Sequence, residues 1–438
     1  MKTLSMLHIA VALALAAAGP SAAESIGSAW FEGEGGLALP KFSAQSADAS
    51  VPAVPKSTSK DKDKDAGEGQ IDAATRDRLI RDAEVWTPRD VASVDMLQGP
   101  LSVAGMGPGD TVTCRYSQER TKASKDGGGA TKKFFCTDER LGVIRVKYTR
   151  EAPGKTAATR LLWALGFGAD PVYAVTVKCV GCPDDPWASF DKQQNGHESK
   201  SVAADHVASF DMAAVEFRME KAAKANGGVL TELAEKKDQG WSWKELDNVD
   251  PSKPELKVHR DALKLLAAFI QHGDNKSQQQ RIVSIRPQGA SFEVPAPENV
   301  LLYVEDVGAT FGGAGAMSGG GASFTFTNWA SRCMWKDPAA GIALLHGSMK
   351  GTMSDPQIGE PGRAFLAGLL NQLSQDQVRR LFEAARADAE PKGSAKGIGV
   401  SDWVAAFNLK VKEVNEKRCL TAERAALLQK KGGANDKD

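Results

Sequence analysis

Four polar residues stand near the ends of strand-like or helical segments, where proteins often place the side chains that do chemistry. Lys147 ends an alternating strand-like run, and Asp306 closely follows a continuous hydrophobic one. Asp274 follows an apolar helical pattern, and Gln279 lies five residues further on. Sites that bind phosphate groups and a divalent cation are typically built from such groups, here one ammonium, two carboxylates and one amide.

The chemistry that such a set serves is phosphoryl transfer, which depends on positioning and charge neutralisation more than on covalent help from the protein. A lysine in the position of Lys147 supplies a positive charge at the α- and β-phosphates. One carboxylate, Asp274, orients the acceptor hydroxyl or takes its proton, and a second, Asp306, holds the metal that bridges the phosphates. A neutral oxygen ligand five residues after the first carboxylate, here Gln279, helps to bind that metal.

A Gly-rich turn joins two strand-like runs upstream of Lys147. The turn contains Gly127, Gly128 and Gly129. Because glycine has no Cβ atom, the backbone N–H groups of such a turn approach phosphate oxygens closely. The turn is therefore predicted to cover the phosphates of a nucleotide.

The elements that position these residues form a β-rich first part and a mainly helical second part. In the first 180 residues, the periodicity predicts helices over 71–84 and 156–166 and strands over 111–116, 132–137, 143–148 and 173–180. Beyond them it predicts helices over 206–225, 260–272, 365–373, 375–387 and 400–428, with strands over 281–284 and 300–304. The predicted fold class is α+β, with a small antiparallel β lobe that carries one helix and a larger, mainly helical lobe.

With these motifs the chain resembles atypical protein-kinase-like folds, nearest to secreted kinases of the Golgi casein-kinase type and to phosphatidylinositol 3-/4-kinases. The segment from Asp274 to Gln279 is similar to their Asp-x-x-x-x-Asn element. The segment from Asp306 to Gly312 is similar to their Asp-x-Gly-x-x-x-Gly element. The chain also looks like a group of exported bacterial proteins that share the helix at 159–167.

The resemblance implies a two-lobed kinase-like phosphotransferase that uses ATP with Mg²⁺ or Mn²⁺. By the resemblance, Lys147 takes the strand-lysine role, Asp274 the catalytic-loop role and Asp306 the role of main metal ligand. The partners it implies are a nucleotide and a hydroxyl-bearing substrate. That substrate stays open between a protein Ser or Thr, a sugar and a small molecule, and the sequence identifies no protein partner.

Two positions depart from the family pattern. Gln279 occupies the position where the family has asparagine, and its side chain is one methylene longer. Its oxygen must therefore adopt a different orientation to reach the cation. Mg²⁺ requires near-ideal ligand geometry, so this difference matters. The helix after Lys147 should present a glutamate to that lysine. Lys155 stands at the expected place, and Glu151 lies nearer as a substitute. The alternative function is therefore a non-catalytic, pseudokinase-like binding or scaffold protein that disulfides stabilise.

The N-terminus predicts export. Residues 1–23 have a basic start, an apolar stretch and a break before small residues, a pattern typical of a signal peptide. Signal removal leaves no apolar run of the roughly 20 residues that a membrane-spanning helix needs. The mature protein is therefore predicted to be periplasmic or secreted. Little ATP is expected there, which favours delivery to another cell or a different phosphate donor.

The predicted domain limits follow from changes in composition. Residues 24–70 are rich in Gly, Ala, Ser, Pro, Lys and Asp, and such a segment cannot bury enough apolar surface to become ordered, so it is predicted to be a disordered linker. The remaining predicted units are a β-rich lobe over 71–180, a helical lobe over 181–428 and a disordered tail over 429–438.

The charge composition argues against one class of function. The 438 residues include 55 Lys and Arg and 55 Asp and Glu. The chain therefore lacks the positive field on which nucleic-acid binders rely, and no nucleic-acid partner is predicted.

The predicted export makes the six cysteines disulfide candidates first and metal ligands second. Cys114 and Cys136 lie in two runs that antiparallel pairing can bring together. Cys333 and Cys419 are then left for each other.

The last two cysteines, Cys179 and Cys182, form a single Cys-x-x-Cys motif. A short-loop disulfide and a redox pair are both consistent with this spacing. With His197 nearby, a zinc site stays open as a third interpretation, although a second pair with ligand spacing is missing.

Overall fold

The structure is a computed structural model that describes residues 69–432, except 102, 127–130, 150, 191–201, 218–222, 224–227, 237–238, 288–291, 313–323, 348–349 and 389–396. The predicted signal peptide, nearly all of the predicted linker and the end of the predicted tail lie outside the described residues. So do Gly127, Gly128 and Gly129 of the predicted phosphate-covering turn. The predicted domain limits stay predictions.

The fold is mixed α and β, with antiparallel sheets and several helices. Its largest sheet consists of β1 (Thr111–Tyr116), β2 (Lys133–Asp138), β3 (Gly142–Lys147), β4 (Val172–Val180) and β5 (Val207–Glu216). The strands follow the order β1-β2-β3-β5-β4, and the sheet closes on itself because β1 also pairs with β4. The closing pair is parallel and the other pairs are antiparallel. The prediction of an antiparallel sheet is therefore wrong at the closing pair.

Strand β5 corrects the helix that was predicted over 206–225. Its first half alternates between exposed and buried residues, with Ala208 and Phe210 turned inward, which is a strand period. The Ala, Met and Glu content of the segment favours a helix, but pairing with both β3 and β4 overrides this weak local preference. The largest sheet thus includes a strand from beyond residue 180.

Helices α2 (Gln118–Asp126) and α3 (Glu151–Ala164) accompany this sheet, whereas α1 (Ala73–Asp82) packs against later segments, where its Arg76 pairs with Glu245. Helix α2 is absent from the sequence prediction, which places only a turn between β1 and β2. Helix α3 begins five residues before the predicted start. Pro153 is tolerated there because the N–H groups of a first turn have no partner within the helix.

A second sheet places two of the predicted site segments side by side. It consists of β6 (Gly228–Glu232), β7 (Gln280–Pro287) and β8 (Val300–Val304), antiparallel and in that order. Gln280 at the start of β7 lies opposite Val304 at the end of β8. The loop that precedes β7 and the segment that follows β8 therefore emerge next to each other.

The remaining chain is mainly helical. It contains α4 (Pro254–Phe269), α5 (Phe326–Ser331), α6 (Glu360–Asn371), α7 (Gln375–Ala384), α8 (Val400–Glu416) and α9 (Thr421–Gly432), with short strands β9 (Trp335–Asp337) and β10 (Ile342–Ala343). The single helix predicted over 400–428 is wrong, because Lys417 adopts a left-handed conformation (φ 50°) that ends α8. Among the described helices, none is long and apolar enough to cross a membrane.

An aromatic cluster anchors the segment that follows β8. Phe311 is fully buried, and its ring lies 5.1 Å from that of Trp329, whose indole N–H donates to the Phe269 carbonyl at the end of α4 (2.8 Å). The Phe311 N–H donates to the Ile270 carbonyl (2.7 Å). The segment after β8 is therefore attached to the end of α4, from which the loop before β7 begins.

Disulfides join two cysteine pairs that the sequence predicts, and a third pair for which it left three interpretations open. Cys114–Cys136 links β1 to β2, and Cys333–Cys419 closes a much longer loop. Cys179 and Cys182 form the short-loop disulfide, so they are not zinc thiolates in this structure. His197, the third predicted ligand of that zinc site, lies outside the described residues.

We expect the three disulfides to contribute unequally to stability. Under the chain-entropy relation, a bridge over 86 residues contributes about 4.6 kcal/mol and one over 3 residues about 1.6 kcal/mol. The double variant Cys333→Ala/Cys419→Ala should therefore lose more unfolding free energy than Cys179→Ala/Cys182→Ala in urea denaturation. Equal losses would show that the length of the closed loop does not determine how much each disulfide stabilises the protein.

Candidate functional site

The structure brings together two residues that the sequence predicts for one site. Lys147 is the last residue of β3, and its Nζ atom lies 3.4 Å from Asp306 Oδ1 and 3.3 Å from Oδ2, across 159 residues of sequence. The backbone fixes Asp306, because the N–H groups of Glu305 and Asp306 both point to the Gln279 carbonyl (2.9 and 3.4 Å). Lys147 and Asp306 therefore form an ion pair between the two sheets.

Glu216 is a member of the site that the sequence analysis missed. It is the last residue of β5, its side chain is 1% exposed, and three cations surround it. Arg145 Nε lies 2.5 Å from its Oε2, while Lys155 and Lys147 Nζ lie 2.6 and 3.4 Å from its Oε1. The predicted helix over 206–225 concealed Glu216, since only a strand paired with β3 brings it opposite Arg145.

Lys155 of α3 also belongs to the site. The sequence analysis treats it as a departure from the family pattern. Its side chain is 1% exposed, and its Nζ atom lies 3.2 Å from Asp306 Oδ1 as well as close to Glu216. The helix position that should hold a glutamate thus holds a lysine, and the glutamate comes from a strand instead.

Glu151, in the first turn of α3, lies beside this cluster. Its Oε2 atom is 3.8 Å from Lys147 Nζ, and its Oε1 accepts a hydrogen bond from the Thr131 hydroxyl (3.3 Å). A Cβ atom at Gly308 would lie 2.7 Å from Glu151 Oε2, so a larger residue there would displace the Glu151 carboxylate. Burial raises the pKa of Glu151 above its usual value, and Lys147 offsets only part of this effect.

The other charges of the cluster stabilise one another. Burial raises the pKa of Glu216, but its three cationic neighbours outweigh burial and hold that pKa well below its usual range. Burial likewise raises the pKa of Asp306, and the same cations together with the Gly308 N–H hold it well below 3.8. Burial lowers the pKa of Lys147, but the surrounding carboxylates raise it above its usual value. Lys147, Glu216 and Asp306 are therefore charged at neutral pH.

Asp274 and Gln279 lie in one short loop between α4 and β7. The Gln279 side-chain N–H donates to Asp274 Oδ2 (3.3 Å), and Lys276 Nζ lies 3.2 Å from Asp274 Oδ1. Gln279 Oε1 accepts the Lys276 backbone N–H (3.0 Å). The side-chain amide of Gln279 thus contacts the loop at both Asp274 and Lys276. Its oxygen has a second lone pair, which can accept a hydrogen bond or bind a cation.

Asn275 and His272 hold this loop against the interior. The Asn275 side chain is fully buried, accepts the Met353 N–H (2.5 Å) and donates to the His272 carbonyl (2.6 Å). The His272 ring is 1% exposed and lies edge-on to Trp243, with ring centroids 5.9 Å apart. Neither ring nitrogen has a hydrogen-bond partner among the described residues. Burial lowers the pKa of His272 to about 4, although Asp306 and Asp274 oppose the shift.

The donor set fits a divalent cation of the magnesium type. The side chains of Asp306 and Asp274 are 33% and 25% exposed, whereas those of Lys147 and Lys155 are buried beneath Asp306. Two carboxylates and an amide oxygen are hard oxygen ligands of the kind that Mg²⁺ and Mn²⁺ prefer. Asp306 and Gln279 are therefore the residues that would hold such an ion, and Asp274 lies beside Gln279, from whose amide it accepts a hydrogen bond.

Thr131, which follows the predicted Gly-rich turn in the sequence, lies close to this cluster. Gly127, Gly128 and Gly129 lie outside the described residues, but Thr131 soon after them donates its hydroxyl hydrogen to Glu151. Thr131 therefore lies beside Glu151, and Lys133 of β2 pairs with Lys147.

Comparison with known proteins shows a distant structural similarity and no family. No family model matches the chain, and no curated protein matches it. Among solved structures, the chain is similar to the crystal structure of a Helicobacter pylori proinflammatory kinase, CtkA. The two share 9% sequence identity at a TM-score of 0.33, over 69% of this chain and 94% of that one. A similarity of this size assigns no family.

We expect His272 to make stability depend on pH. Its pKa is about 4 in the folded state and 6.5 ordinarily, so between these values the unfolded state binds more protons and stability falls as the pH falls. From pH 7 to pH 5 the wild type should lose roughly 2 kcal/mol more unfolding free energy than His272→Phe. Urea denaturation at both pH values measures this difference, and equal losses would contradict the buried, neutral ring.

Proposed function

We propose that the protein is a two-lobed, kinase-like phosphotransferase that moves the γ-phosphate of ATP to a hydroxyl acceptor. The contact between Lys147 and Asp306 carries the proposal. These residues lie on separate sheets, and kinase chemistry requires a lysine and a metal-binding carboxylate at one place. The backbone link from Gln279 to Asp306 adds the loop that contains Asp274.

Each side chain has a defined task in this proposal. Lys147 balances charge on the phosphate oxygens, and Asp274 orients the acceptor hydroxyl and takes its proton. Asp306 and Gln279 would hold Mg²⁺ or Mn²⁺, which neutralises phosphate charge when it is bound. The buried ion pairs around Glu216 keep Lys147 in place, so little reorganisation is needed when the substrate arrives.

The proposed lobes follow the two sheets. The closed sheet with α3 forms the small lobe and contributes Lys147 and Glu151. The segment from α4 onward forms the larger lobe and contributes Asp274 and Asp306. The proposed compartment is periplasmic or extracellular, because the N-terminal 23 residues have the pattern of a signal peptide.

A second candidate function is a non-catalytic binding protein with the same fold. The hydrogen bond of Gln279 within its own loop favours this candidate, because the Gln279 oxygen that would bind a metal already accepts the Lys276 backbone N–H. The two lysines on Asp306 favour it too, since a cation must compete with both of them. The two candidates agree on nucleotide binding and differ in turnover.

We expect ATP with Mg²⁺ or Mn²⁺ to stabilise the protein through Asp306. Ligand at 100 times its dissociation constant adds about 2.7 kcal/mol to the unfolding free energy, which is a shift of a few degrees in a thermal melt. Asp306→Asn should abolish the metal-dependent shift, whereas Asp376→Asn, at an exposed carboxylate in α7, should retain it. Absence of a shift with either metal would overturn nucleotide binding.

Turnover then separates the two candidate functions. In a phosphotransferase, Asp274→Asn should keep the thermal shift but slow the release of ADP from ATP by about 10²- to 10⁴-fold, which is the usual contribution of a general base. A protein that shows the shift but whose wild-type and Asp274→Asn forms release ADP equally slowly is a binding protein.

A further inference from the structure

Two buried lysines share the Asp306 carboxylate, although kinase chemistry needs one strand lysine there. Lys147 reaches Asp306 from the end of β3, and Lys155 reaches it from α3. The lysine side chains are 4% and 1% exposed, whereas the side chain of Asp306 is 33% exposed. The two ammonium groups therefore lie beneath a carboxylate that solvent and ligands can reach.

Glu216 holds the two ammonium groups side by side. Its Oε1 atom lies 2.6 Å from Lys155 Nζ and 3.4 Å from Lys147 Nζ. Like charges this close repel each other strongly in a protein interior unless anionic oxygens compensate them. Glu216 and Asp306 provide two negative charges beside the two lysines. Arg145, the third cation on Glu216, also faces Asp170 and Glu305 at 4.0 and 3.9 Å.

This charge balance changes when a divalent cation binds Asp306 and neutralises its carboxylate. Glu216 then remains as the buried counter-charge of both lysines, and Glu151 contributes only at 3.8 Å from Lys147. A buried charge that loses its partner is strongly destabilising. An anion with several charged oxygens, arriving with the cation, restores the compensation.

The contact distances identify which carboxylate can exchange its partners. Charge-assisted N–H···O bonds are usually about 2.7–2.9 Å long. The contacts of Asp306 with the lysines are longer, at 3.2 to 3.4 Å, whereas Lys155 lies 2.6 Å from Glu216. Glu216 therefore holds Lys155 more closely than Asp306 does, whereas Lys147 lies about equally far from the two carboxylates, at 3.4 and 3.3 Å.

The geometry points to Lys155 as a second polyphosphate-binding lysine, which forms with Lys147 a two-lysine anion site that Glu216 holds in place. The inference rests on the proposed function for the natural ligand, a nucleoside triphosphate. The anion site itself is tested without nucleotide, metal or turnover.

The test is the binding of inorganic tripolyphosphate, measured by isothermal titration calorimetry in the presence of a chelator. In the wild type, Asp306 competes with the anion for both lysines. Asp306→Asn removes this competitor but keeps the size of the side chain, so it should bind tripolyphosphate at least about tenfold more tightly than the wild type. Adding Lys155→Met to Asp306→Asn should weaken binding again by at least about tenfold.

Matched variants separate charge from structure. In the Asp306→Asn background, Lys155→Arg keeps the charge and should keep most of the affinity. Lys264→Met removes a lysine that is equally buried but lies in an ion-pair network with Asp247 and Asp261, so it should leave binding unchanged. Thermal unfolding checks that each variant folds, and Lys155→Gln replaces Lys155→Met if the latter does not.

The outcomes distinguish this inference from the proposed function. Equal binding by Asp306→Asn with and without Lys155→Met would overturn the role of Lys155. No gain from Asp306→Asn would overturn the two-lysine site, even if ATP with Mg²⁺ stabilises the wild type. Lysine-dependent tripolyphosphate binding in a protein that ATP and metal leave unchanged would support the anion site and reject the proposed function.

Discussion

The buried carboxylate of Glu216 is the interaction on which the candidate site depends. It compensates three cations that come from two other elements, Arg145 and Lys147 on β3 and Lys155 on α3. Without it, Asp306 would be the main counter-charge of both lysines, and Arg145 would keep only carboxylates at 3.9 and 4.0 Å. Removing the partner of a buried charge is strongly destabilising. The position of Glu216 in turn depends on the pairing of β5 with β3. The strand pairing that closes the sheet therefore also places the buried charges of the site.

The residues that sequence analysis could find are those at the ends of strongly patterned elements. Strand β8 is continuously hydrophobic and β3 is bounded by a turn glycine, so the positions of Asp306 and Lys147 followed from local sequence. The contact between them did not, because it joins residues that are 159 positions apart. From the sequence alone, only the resemblance to the order of motifs in kinases predicts that Lys147 and Asp306 share one site.

The residues that sequence analysis missed lie where local pattern and tertiary structure disagree. Strand β5 has the composition of a helix, and its place between β3 and β4 overrides that composition. Helix α3 is buried around nearly its whole circumference, so it lacks an amphipathic period that would mark its start. Glu216 and Lys155 belong to these two elements. Their roles were therefore invisible in the sequence, although Lys155 was noticed as an anomaly.

The arrangement around Asp306 explains how one cluster is compatible with both candidate functions. A binding protein can leave Asp306 with the lysines permanently, whereas a phosphotransferase must exchange those contacts for a cation and phosphate. The exchange requires that the lysines stay in place while Asp306 changes partners. Glu216 makes short contacts with Arg145 and Lys155, and Asp306 is the more exposed carboxylate, so the arrangement meets that requirement at Lys155. Lys147 lies about equally far from both carboxylates. In the proposed anion site, Glu216 is thus the fixed carboxylate and Asp306 the one that exchanges its partners when a cation and an anion bind together.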